Sequence, residues 1–129
     1  MTDEHHLSFA DVILHQPNLA EVIVYEGIEI DMPMVEEYHD FLLSNLQAPF
    51  ALLVNNKNHY TYTFEAQLSI TLLKEVKAIA VLAYDRASRY ATESLKNMPN
   101  HTAWNMTIFD DRDKAIAWLR PQLQGNFFC

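Results

Sequence analysis

Residues 77–85 (KAIAVLAYD) constrain the fold more than any other part of this 129-residue sequence. Residues 78–84 form an unbroken apolar run, which is too short to span a membrane and lacks the alternation of a half-buried strand. Such a run is typical of a strand that is covered on both faces in a parallel α/β sheet. A helical pattern, RASRYATESLKNM, follows directly. Together the two segments predict one strand–helix unit.

Four further segments are predicted as strands from their apolar content: residues 8–15, 20–25, 50–54 and 106–109. The short turn Gln16-Pro17-Asn18 lies between the first two of these segments, so they should pair as an antiparallel hairpin. Right-handed crossovers would place helices on both faces of the sheet. We therefore predict a single-domain α/β fold, with a mixed, mostly parallel sheet, an N-terminal antiparallel hairpin and about four helices, in the order ββαβαβαβα.

Each predicted helix has its own start signal and buried face. The second helix, residues 64 to about 74, is apolar on more than one side and should be either the most buried helix or one that also meets a partner. Pro121 should end the fourth helix near Arg120. Residues whose side-chain oxygens can cap free backbone N–H groups precede the four helices, namely Asp31, Thr63, Asp85 and Asp110. The buried faces are predicted to be Val35, Tyr38, Leu42 and Leu46 in the first helix and Ala87, Ala91, Leu95 and Met98 in the third.

Composition narrows the class of protein. The length suits one domain spanning residues 1–129, with residues 1–6 expected to be flexible. The net charge of −8 disfavours nucleic acid and anionic membrane surfaces as partners. Cys129 is the single cysteine, so an internal disulfide is excluded. The N-terminus lacks the features of an export signal, and no apolar segment approaches membrane-spanning length, so we expect a cytoplasmic protein without integral membrane association.

The sequence lacks a motif that would predict catalysis. Gly27 and Gly125 are the only glycines, which excludes both glycine-rich phosphate-binding fingerprints. Serines 44, 69, 88 and 94 fall inside predicted helices rather than at a nucleophile elbow. Glu36-x-x-His39 has the spacing of half a di-iron site, but a second such pair is missing. We therefore expect no enzyme activity, no catalytic residue, no cofactor and no metal.

Two segments of the C-terminal half resemble the SpoIIAA-like branch of STAS-like domains. They are residues 77–80 (KAIA) and residues 109–119 (FDDRDKAIAWL), where the last strand enters an acidic-capped helix. The resemblance implies a small, non-enzymatic regulatory or binding domain, in a branch also likened to lipid-binding CRAL-TRIO domains. In STAS-like antagonists a Ser or Thr after a parallel strand is phosphorylated. The matching loop here reads VNNKNHYTYTF and lacks the Asp-x-Ser/Thr-Gly pattern, so no phosphosite is assigned.

A candidate binding site lies where the parallel strands end, because ligands of open α/β sheets gather at that edge. The long polar loop after residues 50–54 and the start of the third helix meet there. The two arginines of this helix could hold an anion, although they could equally pair with neighbouring acids. The predicted ligand-binding or partner-binding residues are Asn55, Asn56, His59, Tyr60, Tyr62, Asp85, Arg86 and Arg89, with Asp110 at the same edge.

Two functions remain open from the sequence. The first is a regulatory or protein-interaction domain, with homodimerisation as an option, for which Tyr60 and Tyr62 would be exposed anchors. The second is a carrier for a small ligand, either a lipid or an acidic metabolite. An interaction domain should have a filled core and an exposed patch, whereas a carrier needs an apolar cavity that reaches the strand-end edge. An enzyme would need Asp85, His59 and Arg86 to converge.

Overall fold

The computed structural model describes residues 3–96 and 105–124 of the chain. Its elements confirm the predicted α/β fold, with a mostly parallel mixed sheet and four helices in the described residues. The helices are α1 (Met32–Asn45), α2 (Phe64–Ser69), α3 (Arg86–Lys96) and α4 (Arg112–Gln124). The strands are β1 (Asp3–His6), β2 (Ala10–Gln16), β3 (Leu19–Val24), β4 (Glu29–Ile30), β5 (Phe50–Asn56), β6 (Thr61–Tyr62), β7 (Val76–Ala83) and β8 (Met106–Phe109).

The main sheet has six strands in the order β1-β2-β3-β5-β7-β8. The first three strands are antiparallel, and β3, β5, β7 and β8 are parallel to one another. β7 contains most of the apolar run of residues 78–84, and it lies between β5 and β8, as a buried strand should. β1 occupies Asp3–His6, within the segment expected to be flexible, and pairs with β2 as an edge strand.

Alternate residues of the sheet separate two apolar layers. On one face α1 packs with the predicted stripe Val35, Tyr38, Leu42 and Leu46, all of which are buried. On the other face α4 packs against small side chains. That second layer comprises Ala51, Leu53, Ala78, Ala80 and Leu82 from the sheet and Ala115, Leu119 and Leu123 from α4. The face that carries α1 holds the candidate site.

A second, two-stranded sheet stands beside the first layer. β4 and β6 pair in parallel, with Glu29 opposite Thr61 and Ile30 opposite Tyr62. This pairing joins the segment after β3 to the long loop after β5. Neither strand was predicted, because two-residue strands carry no periodicity that a sequence could reveal.

Two helix boundaries differ from the sequence prediction. α2 ends at Ser69 rather than at residue 74, because the chain must turn to begin β7 at Val76. It is also not the most buried helix, since Phe64 is 69% exposed and Ala66 is its one buried residue. α4 continues through Pro121 to Gln124. Pro121 is exposed, so the carbonyl group that its missing N–H leaves unpaired can bond to water.

The helix caps follow the prediction with one correction. Asp31 accepts the backbone N–H of Met34, and Thr63 accepts that of Ala66. α4 is capped by Asp111, one residue later than predicted, and its Oδ1 accepts the N–H groups of Asp113 and Lys114. These caps satisfy backbone donors that would otherwise lack partners.

Candidate functional site

A mostly apolar cavity of about 500 Å³ lies between the main sheet, the helices α1 and α3, and the segment that follows α2. Its floor is formed by sheet residues that point away from α4, such as Val22, Leu52, Val54, Ile79 and Val81. Protein interiors are normally packed with few voids larger than a water molecule. A space of this size lies within the roughly 300–1,000 Å³ of pockets that hold small molecules.

The cavity reaches the edge of the sheet at which the parallel strands end. There its lining includes Glu26, Gly27, Asn58, His59 and Thr61 from the two loops that follow β3 and β5. Hydrogen bonds hold these loops together: the side chain of Asn58 donates to the carbonyl oxygen of Val24 at 2.9 Å, and the N–H of Gly27 donates to that of His59 at 2.8 Å. The predicted strand-end edge is therefore the mouth of a cavity.

A chain of uncharged polar groups lies within the cavity. Tyr60 donates its phenolic O–H to Oδ1 of Asn56 at 2.7 Å, and the ring of Tyr62 packs edge-on against that of Tyr60 at 5.7 Å. Burial raises the pKa of both phenols, so they stay protonated at neutral pH. Tyr60 and Tyr62 line the cavity and are half-buried rather than exposed. This corrects the expectation of an exposed tyrosine pair.

At the mouth, His59 links two carboxylates. Its Nε2 lies 3.0 Å from Oδ2 of Asp85, and its backbone N–H donates to Oε1 of Glu26 at 3.1 Å. Asp85 also caps α3 by accepting the N–H of Ser88 at 2.8 Å. The Ser88 N–H and the hydrogen bond from His59 hold the pKa of Asp85 below its ordinary value. These contacts tie the loop after β5 to the start of α3.

α3 faces the sheet with a different side from the one predicted. Ser88 and Thr92 are buried against the sheet, while Ala87 and Ala91 are exposed toward the cavity. Thr92 donates its hydroxyl to the carbonyl oxygen of Ser88, and the side chain of Asn56 lies 3.5 Å from the Thr92 oxygen. Their apolar character predicts that the two alanines face the core, but their small size leaves space beside the helix. Leu95 and Met98 lie outside the residues whose side chains are described.

The remaining predicted site residues divide between the cavity and other surfaces. Asn56, His59, Tyr60 and Tyr62 line the cavity, and Asp85 contacts His59 at its mouth. Arg86 and Arg89 are exposed on α3 and are absent from the lining, as is Asp110. The prediction did not include His39 of α1, which lines the cavity and has Nε2 3.0 Å from the carbonyl oxygen of Ile70. Its position on the helix gave no signal that would distinguish it from a surface residue.

Asn55 belongs to the opposite face of the sheet, since it neighbours Asn56 on the same strand and points the other way. Its side chain donates to Oε2 of Glu21 at 2.9 Å and accepts the O–H of Tyr84 at 2.8 Å. Glu21 is 2% exposed and also receives two hydrogen bonds from Arg112, at 2.8 and 2.5 Å, and a contact of 2.8 Å from Nε2 of His15. Asn55 is thus part of a buried ionic network that fastens α4 to the sheet.

Burial opposes ionisation of Glu21, but the hydrogen bonds from Arg112, His15 and Asn55 outweigh it and lower the pKa of the carboxyl group to about 2. This network satisfies every charge that it buries, so we interpret it as structural.

A separate group, Glu4, His6 and Asp11, has ligand atoms within 4.8 Å of one another on β1 and β2. It is largely exposed, and such groups are common without an ion.

Of the three residues considered for catalysis, Asp85 and His59 are in contact at 3.0 Å, and Arg86 is exposed on α3. Asp85 lies between His59 and the backbone N–H of Ser88, whereas nucleophilic catalysis requires a base in contact with a nucleophilic side chain.

In residues 3–96 and 105–124, no helix combines the length and apolar character required to cross a bilayer.

The architecture is that of a SpoIIAA-like fold, as the resemblance in residues 77–80 and 109–119 indicated. Among solved structures, the chain is similar to an uncharacterized protein of the DUF3478 family from Shewanella loihica PV-4, which has this fold. The two share 13% sequence identity over 92% of each chain, with a TM-score of 0.52. The likeness establishes the fold alone. No protein-family model and no curated protein matches the sequence.

Proposed function

We propose that this protein binds a small apolar molecule in the cavity between the main sheet, helices α1 and α3, and the segment that follows α2. The observation that carries the proposal is the predominantly apolar lining, which opens at the strand-end edge. Apolar side chains that line a space of about 500 Å³ lack dispersion contacts on that side. A bound apolar molecule would restore those contacts and stabilise the folded chain, so the cavity favours a carrier over a domain with a filled core.

The mode of binding follows from the layout of the lining. The apolar body of a ligand would lie along Val22, Leu52, Val54 and Ile79, and its polar end would reach the tyrosine and asparagine side chains near the mouth. Each buried apolar square ångström contributes roughly 25 cal/mol to affinity before the costs of ordering are subtracted. The loops tied by β4 and β6 would form the wall beside the entrance.

A protein-interaction role is the second candidate. Phe64 and Leu72, in and just after α2, are 69% and 45% exposed, respectively. Exposed large apolar side chains are typical of interface anchors. A regulatory partner or a second copy of the chain would cover them, and this role is compatible with ligand binding on the same domain. The predicted absence of catalysis and the cytoplasmic location stay expectations.

Binding can be tested with Nile red, an uncharged dye whose fluorescence increases in an apolar environment. The wild-type protein should enhance its fluorescence saturably, and the Val54→Phe variant, which fills part of the cavity, should weaken dye binding at least tenfold. Ile116→Phe is the matched control, because Ile116 belongs to α4 and packs on the opposite face of the sheet. Native mass spectrometry of gently purified protein should also detect a non-covalent adduct. If the wild-type protein neither binds the dye nor carries an adduct, the proposed function is wrong.

A further inference from the structure

The charges around the cavity are arranged in a way that limits its ligand. Among the residues whose side chains are described, no Lys or Arg lines the cavity. Glu26 is the one carboxylate in the lining, and Asp85 stands beside it through its contact with His59. The chain as a whole carries a net charge of −8. An anion approaching this mouth would meet negative charge, and in the described lining it would find no Lys or Arg side chain to replace its hydration.

Apart from Glu26 and the imidazoles of His39 and His59, the polar side chains in the described lining are neutral hydroxyls and amides. The Nε2 atoms of the two imidazoles lie 3.0 Å from the carbonyl oxygen of Ile70 and from Oδ2 of Asp85, respectively. The phenol of Tyr60, the phenol of Tyr62 and the amide of Asn56 form one connected cluster, and Thr92 adjoins it. Groups of this kind can donate to, or accept from, a hydroxyl or carbonyl group at little cost. They cannot neutralise a carboxylate, a phosphate or an ammonium group, and the carboxylate of Glu26, which accepts the N–H of His59, lies at the mouth rather than among them.

From this arrangement we infer that the cavity takes an uncharged lipid with a hydroxyl or carbonyl end, such as a long-chain alcohol, and excludes fatty acids and other lipid anions. The inference rests on the proposed function, since it specifies the ligand of the same cavity. It also replaces the acidic metabolite considered from the sequence, because Arg86 and Arg89 do not reach the cavity lining. The alcohol oxygen would lie against Tyr60, Tyr62 and Asn56.

The test compares three ligands of equal chain length whose end groups differ in charge: 1-dodecanol, dodecanoate and dodecylamine. Each is used below its micellar concentration to displace Nile red from the wild-type protein at pH 8.0. Dodecanol should bind at least tenfold more tightly than either charged compound. If Nile red binds but dodecanoate or dodecylamine competes as well as dodecanol, the inference is wrong and the proposed function stands. If neither Nile red nor any of the three binds, the proposed function fails as well.

Two pairs of variants test the physical cause. Tyr62→Phe should weaken dodecanol binding about three- to tenfold, the value of one hydrogen bond. Tyr25→Phe is its control, because the Tyr25 hydroxyl donates to Asp11 outside the cavity. Ala91→Lys adds a cation at an exposed lining position and should raise dodecanoate affinity at least fivefold, whereas Ala91→Gln should not. If Ala91→Lys leaves dodecanoate affinity unchanged, the lack of a cation is not what excludes the anion.

Discussion

Arg112 offers the sharpest test of the forces that hold this fold together. Its guanidinium group donates two hydrogen bonds to Glu21, a carboxylate on β3 whose side chain is 3% exposed. Arg112→Leu would retain an apolar stem but leave the carboxylate buried with only His15 and Asn55 as partners. A buried charge deprived of its main counter-ion is among the most destabilising changes that a single substitution can produce.

The size of the effect can be worked out from the pKa of Glu21, which falls from 4.5 to about 2 on folding. Because one pKa unit corresponds to about 1.4 kcal/mol, the environment favours the ionised carboxylate by about 3 kcal/mol. Arg112 is the strongest of the groups that lower this pKa. We therefore expect Arg112→Leu to reduce the free energy of unfolding at pH 7 by about 3 kcal/mol, the lower end of the range for broken buried pairs.

The pH dependence has a definite sign. The folded-state pKa of Glu21 is depressed, so its stabilisation is complete above the ordinary pKa of 4.5 and is lost as pH falls toward 2. The difference between wild type and Arg112→Leu should accordingly shrink by about 1 kcal/mol between pH 7 and pH 3.5. Urea unfolding followed by circular dichroism at both pH values would measure this difference.

The controls separate a lost ion pair from a disturbed helix. Arg120→Leu changes an exposed arginine of the same helix and should alter stability by less than about 0.5 kcal/mol. The double variant Glu21→Leu/Arg112→Leu removes both charges and should be more stable than Arg112→Leu alone, because no unpaired charge remains. If Arg112→Leu costs less than about 1 kcal/mol, or if the double variant is the least stable, our account of the network is incorrect.

Two further substitutions test local features near the cavity mouth, and both are measured by urea unfolding. Gly27→Ala should cost about 1–2 kcal/mol because φ at this position is +79°, although a Cβ would meet no atom within 4 Å; an unchanged midpoint would contradict this. Asp85→Ala should lower the free energy of unfolding above pH 4 through loss of the α3 cap, and this loss should diminish at lower pH because the pKa of Asp85 is depressed. Asp85→Asn keeps a capping oxygen and should retain most of the stability, so equal losses in both variants would argue against the cap.

The predictions that succeeded rest on strong local signals. The apolar segment at β7, the stripe of α1 and the Asp31 cap each follow from one element and its immediate neighbours, and the structure contains all three. The strand-end edge was also located correctly, because the ends of parallel strands meet wherever such a sheet forms. Asn56, His59, Tyr60 and Tyr62 meet there for this reason.

The predictions that failed needed information about distances between elements. Asn55 and Asn56 are indistinguishable in composition, and the pleat of β5 alone sends one to the α4 face and the other to the cavity. For α3, apolar character suggested that Ala87 and Ala91 face the sheet. The helix instead buries Ser88 and Thr92, whose polar atoms are satisfied by a backbone carbonyl and by Asn56. The contact of Thr92 with Asn56, which is distant in sequence, thus favours burial of the polar side of the helix over burial of the alanine side.

The same distances explain why one layer is filled and the other is hollow. On the α4 face the central strands present Ala51, Ala78 and Ala80, so the helix can approach closely and Ala115 is fully buried. On the opposite face, the sheet presents larger residues such as Leu52 and Ile79, while the β4–β6 pair forms an additional wall. α3 contributes only small side chains to the space beside it, namely Ala87, Ser88, Ala91 and Thr92. Longer side chains at these positions would fill that space, whereas the small ones leave it open.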